Sequence, residues 1–214
     1  MTRRVLVPAN RIVRWFENFA TRHEGSRLEA VEGALAAHGG DGATALAQLP
    51  WDRRYDGPAS ADSFAEAVER PVRWGLLIVR KGGFAVAGGT TRDPAWHKVG
   101  HRHVQGRSKA GGSSQQRFAR RREGQARLAF EAAADHATRI LVDGLGGVDV
   151  LCCGGDHTAV ERVLADPRLA KVADKRMDRW VNAAEPNASV LEQAVTDAWS
   201  CVVDLDEPSE RGFG

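Results

Sequence analysis

The chain has 214 residues, 43% of them hydrophobic and 27% charged, and a formal net charge of +2. That length holds one sizeable domain, or a core domain with a smaller companion, and the apolar content excludes wholesale disorder. Three cysteines, two of them adjacent at Cys152 and Cys153, provide neither a disulfide framework nor a paired zinc-ligand spacing.

The N-terminus enters an amphipathic pattern at once, so no secretory leader is expected, and no apolar stretch reaches the ~20 residues that span a bilayer. A reducing cytoplasm is the expected location, with no membrane partner. Val5 to Val7 form a short apolar start. Pro8 and the potential cap Asn10 follow, and Ile12, Trp15, Phe16 and Phe19 then recur at helical spacing. A second helix is predicted from Leu28 to His38, before the breaker GGDG. QLPWDRRYDGPASADS reads as a connecting loop, with Trp51 and Tyr55 anchoring it on the core, and SFAEAVER as a helix that ends at Pro71.

WGLLIVR at 74–80 is the clearest strand, and KGG should turn it into a hairpin with FAVAG. WHKVGHRHVQG alternates loosely and runs into QGRSKAGGSSQQRFARRRE, too rich in Gly and Ser for regular structure. A long helix is predicted over 116–142, with Ala126, Ala129, Ala133, Ala137 and Ile140 as its buried stripe and DGLGG as its end. VDVLCCGG reads as a buried central strand, and HTAVERVLAD as a helix capped by Asp156 or Thr158. Ser189 and Glu192 have capping-box spacing before a further helix, and Cys201 to Leu205 would be a last strand. A hairpin followed by alternating helices and strands predicts an α/β fold: a three-layer mixed sheet with flanking helices, plus a small, mainly helical N-terminal part. The expected divisions are an N-terminal extension over 1–69, a core domain over 70–205 and a tail over 206–214.

Charge is distributed unevenly along this order. Between residues 97 and 127 nine lysines and arginines face Glu123 alone, a net of +8, which leaves −6 for the rest of the chain. His97, His101 and His103 add further capacity for positive charge. One sign gathered in one segment is the footprint expected for a polyanion, RNA above all.

The chemical candidates narrow quickly. The glycine-rich stretch lacks the Gly-Lys-Ser/Thr ending of a phosphate-binding loop. Asp143, Asp149, Asp156, Asp204 and Asp206 stand near strand ends, as a two-metal nuclease site would need, but cap and turn roles account for each separately. Cys152 and Cys153 sit in an apolar strand, where thiols act as small hydrophobes. No cofactor and no metal site is expected. The segment itself remains. Paired glycines let a backbone approach a substrate closely, backbone N–H groups can hold developing negative charge, and a glutamine amide can position a water. Flanking cations would grip phosphates with little sequence preference. These features suit water attack on an ester at an RNA end. They also suit a non-catalytic arm of a ribosome-associated protein that binds rRNA or tRNA.

In GRSKAGGSSQQRFARRRE, with RPVRWGLLIVRKGGFAVAGG upstream and the alternating second half, the chain resembles the Vms-like release factor family. These are peptidyl-tRNA hydrolases of ribosome quality control, related to the catalytic middle domain of eukaryotic and archaeal peptide release factors. The resemblance covers residues 70 to 205 and implies a release-factor middle-domain-like (RNase H-like) fold. It also implies a hydrolase that frees stalled nascent chains at the large ribosomal subunit, with rRNA and peptidyl-tRNA as partners. It places Gly111, Gly112, Ser113 and Ser114 in a mobile catalytic loop. Gln115 or Gln116 is then the catalytic glutamine, and Arg102, Arg107, Lys109, Arg117, Arg120, Arg121 and Arg122 bind RNA. The release-factor loop proper is Gly-Gly-Gln, and eukaryotic members of the Vms-like group set glutamine directly after Gly-Gly-Ser, whereas here a second serine intervenes and two glutamines follow.

Overall fold

The computed structural model describes residues 2–101, 124 and 127–207. They form a mixed α/β protein with two five-stranded sheets and flanking helices, divided into two compact units: residues 1–71 with 196–214, and residues 72–195.

The first unit carries strands β1 (Thr2–Val7), β2 (Ser26–Val31), β3 (Ala34–Gly39) and β4 (Thr44–Gln48), with helices α1 (Ile12–Arg22) and α2 (Ala61–Glu69). The predicted helix over 28–38 is instead the β2–β3 hairpin. Its alanines suggested a helix, but Glu32–Gly33 make a two-residue turn, and Gly33 sits at φ +79°, where a side chain would be strained. The N-terminal part is therefore a sheet with two helices, not a mainly helical extension. The final strand, β10 (Cys201–Asp206), inserts between β1 and β4 in this sheet rather than completing the second domain, giving the order β1-β10-β4-β3-β2, antiparallel throughout.

Helix α1 buries Ile12, Phe16 and Phe19, the helical stripe read from the sequence, and Phe16 meets Phe64 of α2 edge-on at 6.1 Å. Asn10 is not its cap; it lies inside a 3-10 turn, Ala9–Arg11, that leads into the helix. Trp51 and Tyr55 are buried, as expected of anchors: Trp51 packs edge-on against Trp199 at 5.7 Å, and the Tyr55 hydroxyl donates to the Pro58 carbonyl at 2.6 Å. Arg53 then closes the C-terminal end of α2. Its guanidinium donates to the carbonyls of Ala67, Val68 and Arg70 at 2.8–3.2 Å, satisfying acceptors that a helix end leaves open.

The second unit holds β5 (Trp74–Arg80), β6 (Gly83–Gly89), β7 (Trp96–His101), β8 (Val150–Gly155) and β9 (Arg176–Val181), in the order β7-β6-β5-β8-β9. β5 pairs antiparallel with β6 through the predicted hairpin and parallel with β8, which is parallel to β9. Leu76 to Val79 and Leu151 to Cys153 are all buried, so both faces of the central strands are covered. Helix α3 is described at residue 124 and over 127–137, and continues as a π-helical turn, Thr138–Gly144. Its predicted alanine stripe is buried at Ala129, Ala133 and Ala137. Helix α4 (His157–Leu164) is capped by Asp156, whose Oδ1 accepts from the Ala159 N–H at 3.0 Å. After a short helix α5 (Ala170–Ala173) and β9, helix α6 (Ala188–Ala198) returns the chain to the first unit. Its side-chain cap is Asn187, which accepts from the Val190 N–H at 2.9 Å, rather than the Ser189–Glu192 box.

Helix α3 lies close against the sheet at Gly88 and Gly75. A Cβ on Gly88 would stand 2.6 Å from Leu145 Cδ1, 3.0 Å from Leu141 Cδ2 and 3.1 Å from the Trp74 carbonyl oxygen. Leu145 can move, but Leu141 is fully buried and the carbonyl belongs to the sheet. Gly88→Val should therefore cost about 1–3 kcal/mol, the usual range for overpacking. Denaturant unfolding monitored by tryptophan fluorescence will measure it, and a variant as stable as the parent would contradict this packing.

Candidate functional site

The basic segment is rooted in two elements of the second unit. β7 leads into it and α3 leads out. Among the described residues β7 pairs on one side only, and its register sets Lys98 opposite Val86 and His101 opposite Gly83. Gly83 in turn faces Arg80, and Val79 faces Gly155. The last residue of β7 therefore lies at the same end of the sheet as the carboxyl ends of the parallel strands β5 and β8. In open α/β sheets this is the end where ligands bind.

The described part of helix α3 runs from that end toward the other. Its last turns lie over Gly75 and Gly88 at the far end of β5 and β6, while His136 stacks on Phe84 at 5.4 Å. Arg127 is nine residues earlier, about 13 Å further along at the usual helical rise. Its guanidinium pairs at 3.4 Å with Glu131 one turn on.

The electrostatics at this end favour an anion. Lys81, Lys98 and Arg139 have no carboxylate within ion-pair distance among the described residues, and His97, Lys98 and His101 are exposed along β7. Burial lowers the His136 pKa, and the charges of Arg139 and Lys98 lower it further, outweighing Asp135. The imidazole is thus held neutral beside a cationic edge. On the other side of the end, His157 at the start of α4 lies flat on Trp180, ring centroids 3.6 Å apart and planes 16° from parallel. The Trp180 Nε1–H donates to the Gly155 carbonyl at 3.3 Å, fixing the indole against the strand end. An exposed histidine on a half-buried tryptophan, with Arg80 and Lys81 nearby in the register, can meet phosphates and bases alike.

Of the predicted site residues, Gly111, Gly112, Ser113, Ser114, Gln115 and Gln116 lie outside the described residues. So do Arg102, Arg107, Lys109, Arg117, Arg120, Arg121 and Arg122. Arg80, His157 and Trp180 were not singled out from the sequence. Trp180 sits in β9, whose irregular RMDRWV has no clear alternation, and only the parallel pairing with β8 brings it to the strand ends.

The competing candidates separate. Asp149 pairs with Arg73 at 2.7 Å, Asp156 caps α4 and Asp204 pairs with Arg4 at 2.7 Å, so these carboxylates are occupied one by one. No group of three potential metal ligands occurs among the described residues. Cys152 and Cys153 are wholly buried, and burial, with Cys152 alongside, pushes the Cys153 thiol up to about 12, far from a reactive thiolate. No described helix is long and apolar enough to cross a membrane.

A family model described as the Actinobacteria/chloroflexi VLRF1 release factor (acVLRF1) matches residues 72–204, more than half of the chain. The chain belongs to this release-factor family. That is the Vms-like kinship expected from the strand hairpin, the glycine-serine segment and the basic helix. Solved structures to which the chain is similar include the archaeal translation termination factor aRF1, with a TM-score of 0.43 and 14% identity over 77% of this chain and 47% of that one. The Vms1 mitochondrial localization core has a TM-score of 0.45 and 13% identity, covering 83% of this chain and 77% of that one. Pelota from Archaeoglobus fulgidus has a TM-score of 0.28 and 9% identity, covering 92% and 62%. The chain spans about half the length of the archaeal termination factor. No curated protein matches.

His136 makes the stability of the second unit depend on pH. Its folded pKa lies below the ordinary 6.5 of the unfolded chain, so between the two values the unfolded state binds more protons. The corresponding stability is complete above pH 6.5 and is lost as the pH falls through that window. The melting temperature should therefore drop more between pH 7.5 and 5.5 in the parent than in His136→Gln. Equal slopes in thermal melts would show that the imidazole titrates alike in both states.

Proposed function

We propose that this VLRF1 chain is a peptidyl-tRNA hydrolase that releases stalled nascent chains at the large ribosomal subunit, acting in the cytoplasm with Gly111–Gln116 as its catalytic segment. The family match carries the reading, because residues 72–204 include both flanks of that segment as well as the segment itself. The framework supports it further. β7 and α3 both bring the chain to the carboxyl ends of β5 and β8, where unpaired cations gather.

In the proposed reaction a water attacks the carbonyl carbon of the ester joining the peptide to the terminal ribose of tRNA. The carbon–oxygen bond to the ribose breaks, and the sugar hydroxyl takes up a proton. A free peptide carboxylate and a deacylated tRNA result. A glutamine amide is too weak a base to take a proton from water at neutral pH, so Gln115 or Gln116 would orient the water instead. Backbone N–H groups beside Gly111 and Gly112 would hold the developing oxyanion. Arg102, Arg107, Lys109, Arg117, Arg120, Arg121 and Arg122 would bind rRNA and the acceptor end of tRNA through phosphates.

Purified large subunits carrying a labelled peptidyl-tRNA test the proposal without added nuclease or metal. The wild-type chain should convert peptidyl-tRNA to free peptide on a gel. One of Gln115→Ala and Gln116→Ala should lose about 10²-fold in release rate, the scale of losing a group that acts on the reacting atoms, while still sedimenting with the subunits. Binding without release by all three proteins would make the segment an RNA-binding arm and refute hydrolysis.

A further inference from the structure

Outside the matched residues, the first unit carries a groove of about 910 Å³ between β1 and the start of α1, lined by Arg3, Leu6, Arg11, Arg14, Trp15 and Asn18. We propose that this groove is a second RNA-binding surface, which grips a single-stranded stretch of RNA through its phosphates.

Three observations converge on it. The first is charge: residues 1–22 hold five arginines against Glu17, a net of +4, the second basic concentration in the chain. Of these arginines Arg4 is neutralised by Asp204, through two hydrogen bonds at 2.7 and 2.9 Å. Arg3, Arg11 and Arg14 line the groove, are exposed, and have no carboxylate partner among the described residues.

The second is where two of them stand. Neither the 3-10 turn Ala9–Arg11 nor the first turn of α1 contains an acidic residue, and neither has a side-chain cap. The start of a helix carries partial positive charge and open N–H groups, so acidic residues stabilise it and arginines there oppose it. Arg11 and Arg14 add like charge to that end, a local conflict that a bound polyanion resolves.

The third is the rest of the lining. Leu6 is 45% exposed on a strand at the sheet edge, and the half-buried Trp15 has Phe19 stacked on it at 5.6 Å, with further indole surface in the groove. Apolar and aromatic surface between cations is what unstacked bases use, and the Asn18 amide can hydrogen-bond a base edge or a 2′-hydroxyl.

The choice of RNA among polyanions rests on the release-factor reading; the choice of an anion does not. The test uses the full chain and a fluorescein-labelled single-stranded RNA of about 12 nucleotides, within the usual site sizes. Anisotropy is read across a salt series for the wild type, for R3A/R11A/R14A, and for the control R27A/R54A, which removes two exposed arginines of the same unit. Three lost phosphate contacts should weaken binding at least about tenfold at ~0.15 M salt and lower the slope of log K against log salt by about 2. The control should stay within about twofold, and all three proteins should melt alike because the changed side chains are exposed. Equal affinity and slope for R3A/R11A/R14A and the wild type would overturn the proposal. So would arginine-dependent binding to phosphatidylserine vesicles with no effect of the substitutions on RNA. Peptide release separates this inference from the proposed hydrolysis. R3A/R11A/R14A should still release peptide at saturating concentration but require more protein, whereas the glutamine variants should lose release and keep their RNA affinity.

Discussion

The close seating of α3 on the second sheet is the constraint on which the arrangement of this protein's candidate site depends. Glycines at positions 75 and 88 remove the side chains that would hold the helix away, and Leu141 and Leu145 fill the space. The contact fixes the end of the helix, and so the direction of its beginning. Without it the described turns of α3 would have no defined relation to β7. The π-helical turn falls in the same place, widening the helix where its leucines meet the strands.

From that seating follows the shape of the electrostatic field. The sheet's interior is apolar on both faces, so its charges are displaced to the strand ends and to the unpaired edge. Lys81 and His101 stand where the chain leaves the sheet, with Lys98 further back along β7. Low-dielectric material beneath such a cluster screens it less than water would and lengthens its reach toward phosphate. Under the proposed function, guidance of this kind would help the chain find one ester within a highly charged ribonucleoprotein, and the sheet and helix would be the rigid base for the segment between them.

Much of this was legible in the sequence, for identifiable reasons. WGLLIVR and VLCCGG are continuous apolar runs bounded by glycine, and only buried strands tolerate such runs at that length. The alanine stripe of α3 kept helical period over several turns. ALAAHG failed because alanine favours a helix in isolation, and the Glu32–Gly33 turn together with pairing to β4 overrode that preference. The partner of CVVDLD was hidden because β1 and β4 lie more than 150 residues away in the chain, and local pattern cannot choose between two sheets. At the candidate site, the basic composition of 97–127 was plain, while the stacking of His157 on Trp180 depended on parallel pairing that no short motif encodes.

The side of β7 that is unpaired among the described residues carries a consequence of a different kind. An edge strand offers open backbone donors and acceptors to any other strand, including the same edge of a second molecule. Trp96 is 46% exposed there, an invitation to such pairing, and His97, Lys98 and His101 follow it in succession. Two copies brought edge to edge would oppose these cations at close range, so the row works against such pairing. Residues suited to phosphate would thus also guard the edge. Neutralising them to study RNA contact would expose a sticky margin, and a loss of soluble protein would then report on aggregation rather than on recognition.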